Sequence, residues 1–290
     1  MVRPKRRVTI GIPVLNGADQ IGQAIADFQE QTFEDWEIVV CDNASDDGTA
    51  DIVEALAEDD DRIHVIRYEE RVHVLHSFRR VLNHADSPFF AFAPVDDRHY
   101  PRFLEACLAA FEGDPKCVAV CPKVAMVTDG QFQEFSSGTD PLNGDPMENV
   151  SRFLADPGNA NRLFGVIRSS ALKDCWPETL QAAVDFHAIA RFLRHGVTKE
   201  IDAVLIERSR TPPERYRRQD EALAHSFLSR QFPHLPVARA IWRDKDLPNS
   251  WSLFKALATL VARSHMFRAR MAHPRWAAFV DSVYPRIEPY

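Results

Sequence analysis

The sequence lacks the features that mark nucleic-acid-binding, secreted and membrane-spanning proteins. Its formal net charge is −7, whereas general nucleic-acid binding needs a basic face, so we expect no nucleic-acid partner. No apolar run approaches the roughly 18 residues of a transmembrane helix. The basic N-terminal residues pass directly into a short strand pattern, which is not the layout of a signal peptide.

The spacing of the cysteines also gives no indication of a metal site, a redox motif or a disulfide. The five cysteines show neither C-x-x-C spacing nor a cysteine–histidine cluster. Cys117 and Cys121 would share one strand face about 13 Å apart, which is too far for a disulfide. The sequence therefore predicts a protein of the reducing cytoplasm.

Three phosphate-binding or catalytic motifs are missing as well. There is no G-x-G-x-x-G after the first strand and no G-x-x-x-x-G-K-[ST], which argues against a dinucleotide fold and a P-loop. The sequence also has no G-x-S-x-G motif, so it gives no indication of a serine hydrolase. If the ligand carries phosphate, its charge must be met by a metal and by side chains such as Arg71 or Arg98.

What the first half does contain is a regular alternation of strand and helix patterns. Short apolar, β-rich runs predict strands at 8–13, 36–42, 63–66 and 89–93. Amphipathic helical patterns follow them, and Pro101 suits the first turn of the last of these helices. This alternation predicts an α/β fold with a doubly wound, mostly parallel sheet.

Polar residues follow three of these strands directly. They are Asn16, the pair Asp42–Asn43 and the pair Asp96–Asp97. In open α/β sheets, ligands bind beyond the carboxyl ends of the strands. Each ending alone could be a helix cap, but three endings on one edge predict a binding site.

The adjacent carboxylates of Asp96 and Asp97 repel each other unless a cation or strong donors compensate. A hard ion such as Mg²⁺ or Mn²⁺ often takes one or two carboxylates and completes its shell with substrate phosphates. The other aspartate would then accept hydrogen bonds from ribose hydroxyls. The alternative is that both residues only cap the helix that starts near Pro101.

These patterns together resemble the inverting family 2 glycosyltransferases with the GT-A fold. The stretch "VTIGIPVLNGADQIGQAIADFQEQTFEDWEIVVCDNASDDGT" is similar to the opening of that family, and "SFRRVLNHADSPFFAFAPVDDRHYP" is similar to its later stretch, which leads into a D-x-D-type metal motif. The resemblance covers residues 7–128 well and continues more loosely to about 210.

The resemblance implies roles for individual residues. The nucleotide-binding first loop corresponds to Pro13 and Asn16, and the acidic pair that contacts the base corresponds to Asp42 and Asn43. The basic nucleotide contact corresponds to Arg71. The ribose or metal-side aspartate corresponds to Asp96, and the principal metal ligand corresponds to Asp97. Three positions depart from the family pattern: Leu15 where an aromatic often stacks on uracil, Asn43 where a second aspartate is frequent, and Pro94 in place of a leading aspartate.

The second half should supply the general base that deprotonates the acceptor hydroxyl. The family places it at the start of a helix well after the metal motif, and Asp185 in "LQAAVDFHAIARFLRHG" fits, with Glu207 the next candidate. The alternative is that Asp185 only complements the helix dipole. His187 is interpreted as structural. Gly165 would permit close approach by substrate or serve packing.

The function that follows is a metal-dependent inverting transferase. It would use Mn²⁺ or Mg²⁺ and move one sugar from a nucleoside diphosphate sugar, UDP-linked by preference, to a saccharide or lipid-linked acceptor in cell-surface polysaccharide or glycan synthesis. A catalytically inactive GT-A domain that binds nucleotide sugars or acts as a scaffold is the alternative. A nucleotidyltransferase is a second one, although "PVLNGADQI" lacks its glycine- and arginine-rich loop.

The predicted GT-A domain spans 1–215, with a nucleotide-sugar half at 1–128 and an acceptor half at 129–215. A helical extension follows at 216–290. Its stretch 251–276 is free of acids and carries an apolar stripe with basic flanks. This stripe could pack on the catalytic domain, form a homodimer contact, or lie on the inner face of an anionic membrane. The arginine-rich stretch 207–220 is either a solvated loop or a diphosphate contact.

Overall fold

The computed structural model describes residues 6–128, 130–173, 175–177, 183–209 and 226–272. Its internal contacts divide the chain into two compact units. Unit one comprises Met1–Pro141, Asn161–Asp174 and Thr198–Arg210, and unit two comprises Leu142–Ala160, Cys175–Val197 and Thr211–Tyr290. The predicted boundary at 215 lies outside the described residues and stays a prediction.

Within the described residues, unit one is built on a mixed β-sheet. Its strands are β1 Val8–Val14, β2 Trp36–Asp42, β3 Ile63–Arg67, β4 Phe89–Phe92, β5 Asp97–His99, β6 Cys117–Thr128, β7 Gln131–Phe135, β8 Val166–Arg168 and β9 Val197–Ser209. The order is β3-β2-β1-β4-β8-β6-β9-β5, with β7 paired to β6. Strands β1 to β4 are parallel, as the sequence predicts, whereas β8 pairs antiparallel with both β4 and β6.

The central strands β1 and β2 are apolar on both faces and buried throughout most of their length, which is typical of parallel strands covered by helices. The covering helices are α1 Ala18–Gln29, α2 Thr49–Asp59, α3 Val74–Leu82 and α4 Phe103–Phe111. Helix α3 packs very close to β1 at Gly11, which has no side chain. A Cβ at this position would stand 2.1 Å from Cγ1 of Val81 in α3. The short helix α6, Ser169–Leu172, and a 3₁₀ turn at Asn161–Phe164 complete this unit.

Unit two is helical within the described residues. Its helices are α5 Pro146–Ala155, α7 Val184–Phe192 with a 3₁₀ turn at Leu193–His195, α8 Phe227–Gln231, α9 Leu235–Trp242 and α10 Trp251–Ala272. Helix α10 packs against α5 and α9. The apolar stripe of α10 is used in this contact, since Leu253, Leu257 and Leu260 are buried. The packing interpretation of the stripe is therefore confirmed for these residues.

Helices α10 and α7 are tied into the same unit by ion pairs. Arg263 bonds the carboxylate of Asp156 at 2.6 Å. The carboxylate of Asp244 accepts from Nε of Arg191 at 2.6 Å and lies 2.8 Å from Nε2 of His187. His187 is thus structural, as predicted. None of the described helices is both long enough and apolar enough to cross a membrane.

Candidate functional site

The carboxyl ends of β1, β2 and β4 meet at one edge of the sheet in unit one. Val14 at the end of β1 pairs with Asp42 at the end of β2. The N–H of Ala93, just after β4, donates to the carbonyl of Gly11 in β1 at 3.0 Å. The segments that leave these three strands therefore start side by side, at the place where such sheets bind ligands.

The first two of these segments are joined by side-chain hydrogen bonds. Asn16 adopts a left-handed backbone conformation, with φ 54°, and its N–H donates to Oγ of Ser45 at 2.9 Å. Its side chain exchanges two hydrogen bonds with Asp46, one through Nδ2 at 2.8 Å and one from the Asp46 N–H at 3.0 Å. Pro13 lies half-buried in β1, and Leu15 is exposed at the tip. Asn16 therefore fixes the shape of the loop that carries these residues.

Asp47 completes the link between the two segments. It accepts from the N–H of Ala18 at the start of α1, at 3.0 Å, and from the hydroxyl and N–H of Thr49. The Thr49 hydroxyl and the Ala18 N–H lower the pKa of Asp47. The hydroxyl of Thr49 also accepts from the N–H of Gly17 at 2.9 Å. These bonds hold the first loop on the second before any ligand binds.

Asp42 carries the clearest signal of a missing partner. Its side chain is only 3% exposed, and Oδ2 accepts from the N–H of Ser45 at 3.2 Å. The other oxygen, Oδ1, is buried without a hydrogen-bond partner among the described residues. A buried acceptor of this kind costs free energy unless something donates to it, so a ligand N–H or O–H is the expected partner.

Asn43, the neighbour of Asp42, has hydrogen-bond partners for both polar atoms of its side chain. Its Nδ2 donates to the carbonyl of Val72 at 2.8 Å, and its Oδ1 accepts from the Val72 N–H at 2.9 Å and from Arg80 at 3.0 Å. Asn43 is therefore engaged in holding the segment at Val72. Arg71 lies next to it on this segment, half-exposed, with its guanidinium 3.2 Å from the carbonyl of Ala44.

Arg80 is a contributor to the site that the sequence analysis missed. Its guanidinium lies 3.9 Å above the ring of Tyr68, and it also donates to the carbonyl of Glu70 at 3.0 Å. The amphipathic pattern of α3 places Arg80 on the polar side, but nothing in that pattern distinguishes it from a solvated arginine.

The paired aspartates after β4 have different environments. Asp96 is exposed, whereas Asp97 is 2% exposed and begins β5. Oδ2 of Asp97 accepts from Nε of Arg208 at 2.8 Å, across the β5–β9 pair. Burial raises the pKa of Asp97 to about 7, against the opposing effect of Arg208. The exposed carboxylate of the pair is that of Asp96.

Arg208 connects Asp97 to two further residues of unit one. Its Nη1 donates to Oδ1 of Asn161, and its guanidinium lies 3.6 Å from the ring centre of Phe164. Arg208 is the second residue of the arginine-rich stretch 207–220. It is a partly buried ion-pair partner and not a solvated residue, while the rest of that stretch from 210 lies outside the described residues.

Arg98, named together with Arg71 as a counter-charge for phosphate, pairs with a buried acid in the structure. Its Nε and Nη2 donate to the buried carboxylate of Asp27 at 2.8 and 2.9 Å. Burial acts to raise the pKa of Asp27, but bonds from Arg98 and from the His99 N–H outweigh it, and the pKa is lowered. Arg98 thus neutralises the buried carboxylate of Asp27.

Asp185 lies in unit two, in the first turn of α7. It is half-buried, and its Oδ1 accepts from the N–H of Phe186 at 3.0 Å. Glu207, the other candidate for the base, lies in β9 of unit one, where its Oε1 accepts from the hydroxyl of Tyr100.

Gly165 is explained by packing. A Cβ at this position would lie 2.2 Å from the carbonyl oxygen of Val120 and 2.9 Å from Cα of Cys121. Because these are backbone atoms of β6, neither can easily move aside. The packing interpretation is therefore confirmed, and close approach by a substrate is not needed to account for the glycine.

The described residues contain no group of three or more histidine, cysteine, aspartate or glutamate side chains that could enclose a metal ion. The exposed carboxylate of Asp96 instead fits a hard cation that takes one or two protein oxygens and completes its shell with diphosphate and water. Asp96 is therefore the carboxylate of the pair that is accessible to a cation.

Sequence comparisons find a family model and relatives that match this chain. The family model described as Glycosyl transferase family 2 matches residues 9–173, more than half of the chain. The protein EpsE of Bacillus subtilis (strain 168), named as a glycosyltransferase, is 33% identical over 110 residues, which are 38% of this chain and 39% of EpsE. TuaG of the same organism, named as a teichuronic acid biosynthesis glycosyltransferase, is 31% identical over 98 residues, 34% of this chain and 39% of TuaG. The matched stretches thus span about two fifths of each relative.

Solved structures share the fold. Residues 1–349 of S. aureus TarS in complex with UDP-GlcNAc match with a TM-score of 0.66 and 18% identity, over 91% of this chain and 74% of that one. The mannosyltransferase PcManGT of Pyrobaculum calidifontis, in complex with GDP-Man and Mn²⁺, matches with a TM-score of 0.57 and 18% identity, over 98% and 81%. The fold is the GT-A fold that the sequence implied.

Proposed function

Because this chain belongs to glycosyl transferase family 2, we propose that it transfers one hexose from a nucleoside diphosphate sugar to a hydroxyl of a saccharide or lipid-linked acceptor. The reaction would serve the synthesis of a cell-surface polysaccharide. The observation that carries this proposal is the unpartnered, buried Oδ1 of Asp42 at the carboxyl edge of the sheet.

The base of the donor binds at Asp42 in this proposal. Uracil presents an N–H at its N3 position, which can donate to Oδ1, and guanine also presents N–H groups. The TarS complex with UDP-GlcNAc favours uracil, whereas PcManGT was solved with GDP-Man. Leu15 is exposed at 41% on the neighbouring loop, where it offers an apolar surface to the base in place of an aromatic ring. Asn16 and Asn43 hold the loops, and Arg71 stands beside them as a cation for the diphosphate.

The ribose and diphosphate bind at the Asp96–Asp97 pair. We assign the metal-facing position to Asp96, since one oxygen of Asp97 is already bonded to Arg208. A divalent cation held there would supply the positive charge that lets the nucleoside diphosphate leave. Asp97 supports this site indirectly, because its bond to Arg208 connects β5 to β9.

Transfer with inversion requires a base on the acceptor hydroxyl. Asp185 takes the proton of that hydroxyl while the oxygen attacks the anomeric carbon. The bond from that carbon to the diphosphate oxygen breaks in the same step, and the electron pair leaves with the nucleoside diphosphate. A carboxylate at the start of a helix is a suitable acceptor for the proton.

Nucleotide binding tests the first part of this proposal. Replacing Asp42 by alanine removes the acceptor for the base N–H, and a hydrogen bond to a charged group contributes about 1.5–3 kcal/mol. We therefore expect the Kd for UDP, measured by calorimetry with Mn²⁺, to rise by roughly tenfold or more. The Kd for CDP should change much less, because cytosine has no N–H at N3.

A control for Asp42 is available on helix α2. Asp51 is an exposed acid paired with Arg67, so Asp51→Ala should leave the Kd for UDP unchanged. Equal loss of UDP and CDP affinity in Asp42→Ala would mean that the variant has damaged the loop and that the base assignment is wrong. The full reaction is checked by incubation with a panel of nucleotide sugars, with and without EDTA, and by NMR of the anomeric configuration.

A catalytically inactive GT-A domain is the second candidate. It is favoured by Pro94 in place of a leading aspartate and by the engagement of Asp97 with Arg208. Tight binding of UDP-sugars without transfer or donor hydrolysis under any metal would favour this candidate over the enzyme.

The exposed side of unit two carries an aromatic cluster with a nearby cation. Trp251 is 68% exposed and stacks on Phe254 at 5.3 Å. Trp242 packs edge-on against Phe254, and the ammonium of Lys255 lies 5.4 Å from the Trp251 ring centre. Aromatic rings with nearby cations suit the surface of an anionic bilayer, so we propose a cytoplasmic protein that is peripheral at the inner face.

Vesicle sedimentation tests this location. We expect the protein to sediment with vesicles that contain phosphatidylglycerol but not with pure phosphatidylcholine, and Trp251→Ser with Phe254→Ser should weaken binding by about tenfold. Light scattering provides the counter-test. A wild-type dimer that becomes monomeric in this variant, without vesicle binding, would show that the cluster is a homodimer contact.

A further inference from the structure

The hairpin formed by β6 and β7 exposes two phenylalanine side chains. Phe132 is 55% exposed and Phe135 is 56% exposed, and their ring centres are 5.0 Å apart with the planes inclined by 59°. Contiguous exposed apolar side chains are a feature of interaction surfaces, whereas single ones need no explanation. The function described above does not use either residue.

An irregularity in the hairpin puts both rings on one side. Phe135 is opposite Ala125 and Phe132 is opposite Val127, with a β-bulge between Met126 and Val127. Ala125 and Val127 are two residues apart, so they lie on the same face of β6. Their partners Phe132 and Phe135, although three residues apart, therefore also share a face, and the bulge serves to bring them together.

The strand directions place the two phenylalanines at the edge of the sheet that presents Asp96. Ala91 of β4 and Val120 of β6 both pair antiparallel with Val166 of β8, so β4 and β6 run in the same direction. Asp96 comes five residues after Ala91, and Ala125 comes five residues after Val120. The hairpin consequently extends from the same edge that presents Asp96.

Hydrogen bonds link the base of the hairpin to the paired aspartates. Ser136, which follows Phe135, accepts through Oγ from Nδ2 of Asn161. Oδ1 of Asn161 accepts from Arg208, and Arg208 donates to Asp97. This chain of side chains lies entirely in unit one and fixes the hairpin relative to the motif at the sheet edge.

The chemistry of the hairpin indicates what binds there. Strand β7 reads Gln131–Phe135, QFQEF, with no basic residue, so it does not match an anionic membrane or a diphosphate. A pyranose ring has an apolar face of C–H groups that can lie on an aromatic ring, and a rim of hydroxyls that amides and carboxylates can bind. Gln133, the extra residue of the bulge between the two phenylalanines, supplies such an amide, whereas Gln131 and Glu134 pair opposite Thr128 and Met126 on the other face of the hairpin.

We propose that Phe132 and Phe135 form a stacking platform for a pyranose ring of the acceptor saccharide. This inference rests on the proposed glycosyltransferase function and deepens it, because it assigns the acceptor side of the site in unit one. It commits to a sugar ring as the occupant, in preference to a lipid chain or a protein.

Saturation-transfer NMR on the intact protein tests the platform without knowledge of the natural acceptor. The probes are the methyl pyranosides of glucose, galactose, mannose and N-acetylglucosamine, together with octyl glucoside. We expect transfer from aromatic protons to the ring C–H protons of at least one probe. The double variant Phe132→Ala with Phe135→Ala should raise the Kd of that probe by about tenfold, and Phe→Tyr at both positions should restore it.

Two controls separate this inference from the function on which it rests. Leu228→Ala removes an exposed apolar side chain of unit two and should leave the probe Kd unchanged, and UDP affinity with Mn²⁺ should be equal in all variants. UDP binding without contact to any pyranoside, or pyranoside contact that survives the double alanine variant, overturns the platform alone. Transfer to the octyl chain in place of the sugar ring also overturns it, while failure to bind UDP counts against the proposed function.

Discussion

Asp96→Asn should reduce metal-dependent transfer by at least about 10³-fold while leaving the melting temperature unchanged. The metal supplies several kcal/mol of charge stabilisation to the departing diphosphate, and an amide oxygen without charge holds a hard cation poorly. Stability should hold because the Asp96 side chain is exposed. Initial rates at a range of Mn²⁺ concentrations, together with a thermal melt, measure both effects.

Asp97→Ala is the matched comparison and should behave in the opposite way. It leaves Arg208 without the carboxylate it pairs with at 2.8 Å, and removing one partner of a buried pair costs about 3–5 kcal/mol of the free energy of unfolding. Chemical denaturation would measure that loss. If Asp97→Ala instead keeps its stability and loses only its response to Mn²⁺, the metal role belongs to Asp97 and not to Asp96.

The sequence pattern predicted the parallel half of the sheet and the edge at which polar residues collect. Strands β1, β2 and β4 are apolar runs that end on polar residues, so both the burial and the edge could be derived locally. The antiparallel half could not be derived in this way. Strand β8 is only three residues long, Val166–Arg168, and its insertion between β4 and β6 depends on pairings across about 50 to 80 residues of chain.

The roles of individual side chains at the edge depend on contacts distant in sequence. Asn43 looks equivalent to Asp42 in the sequence, yet it is bonded to Val72, 29 residues away. Arg98 compensates Asp27, 71 residues away, and Arg208 compensates Asp97, 111 residues away. Charge patterning showed that cations and acids were present, but it could not show which of them neutralise each other and which stay available to a ligand.

The C-terminal stripe illustrates the same limit for packing. The helical period grouped five residues as one face, namely Leu253, Phe254, Leu257, Leu260 and Val261, but a buried stripe and a membrane-bound stripe have the same period. The structure separates them, because Leu253, Leu257 and Leu260 are buried against α5 and α9 while Trp251 and Phe254 remain exposed. The periodicity was therefore wrong for Phe254, which is exposed beside Trp251 and does not share the buried face.

Asp185→Asn should lower kcat by roughly 10²- to 10⁴-fold, the range for a positioned acid–base group. The KM for the donor should hold, since the proposed donor contacts are residues of unit one. The melting temperature should also hold, because the amide oxygen can still accept from the Phe186 N–H, as Oδ1 does at 3.0 Å. Steady-state kinetics with varied donor and a thermal melt give these three quantities.

Two further variants decide what a different result would mean. Asp156→Asn, an exposed acid of unit two paired with Arg263, should leave kcat unaffected and so controls for a general loss of charge. Glu207→Gln tests the other carboxylate, which accepts from Tyr100 in β9. A large loss of kcat in Glu207→Gln with little loss in Asp185→Asn would transfer the role of base to Glu207, and Asp185 would then act only on the dipole of α7.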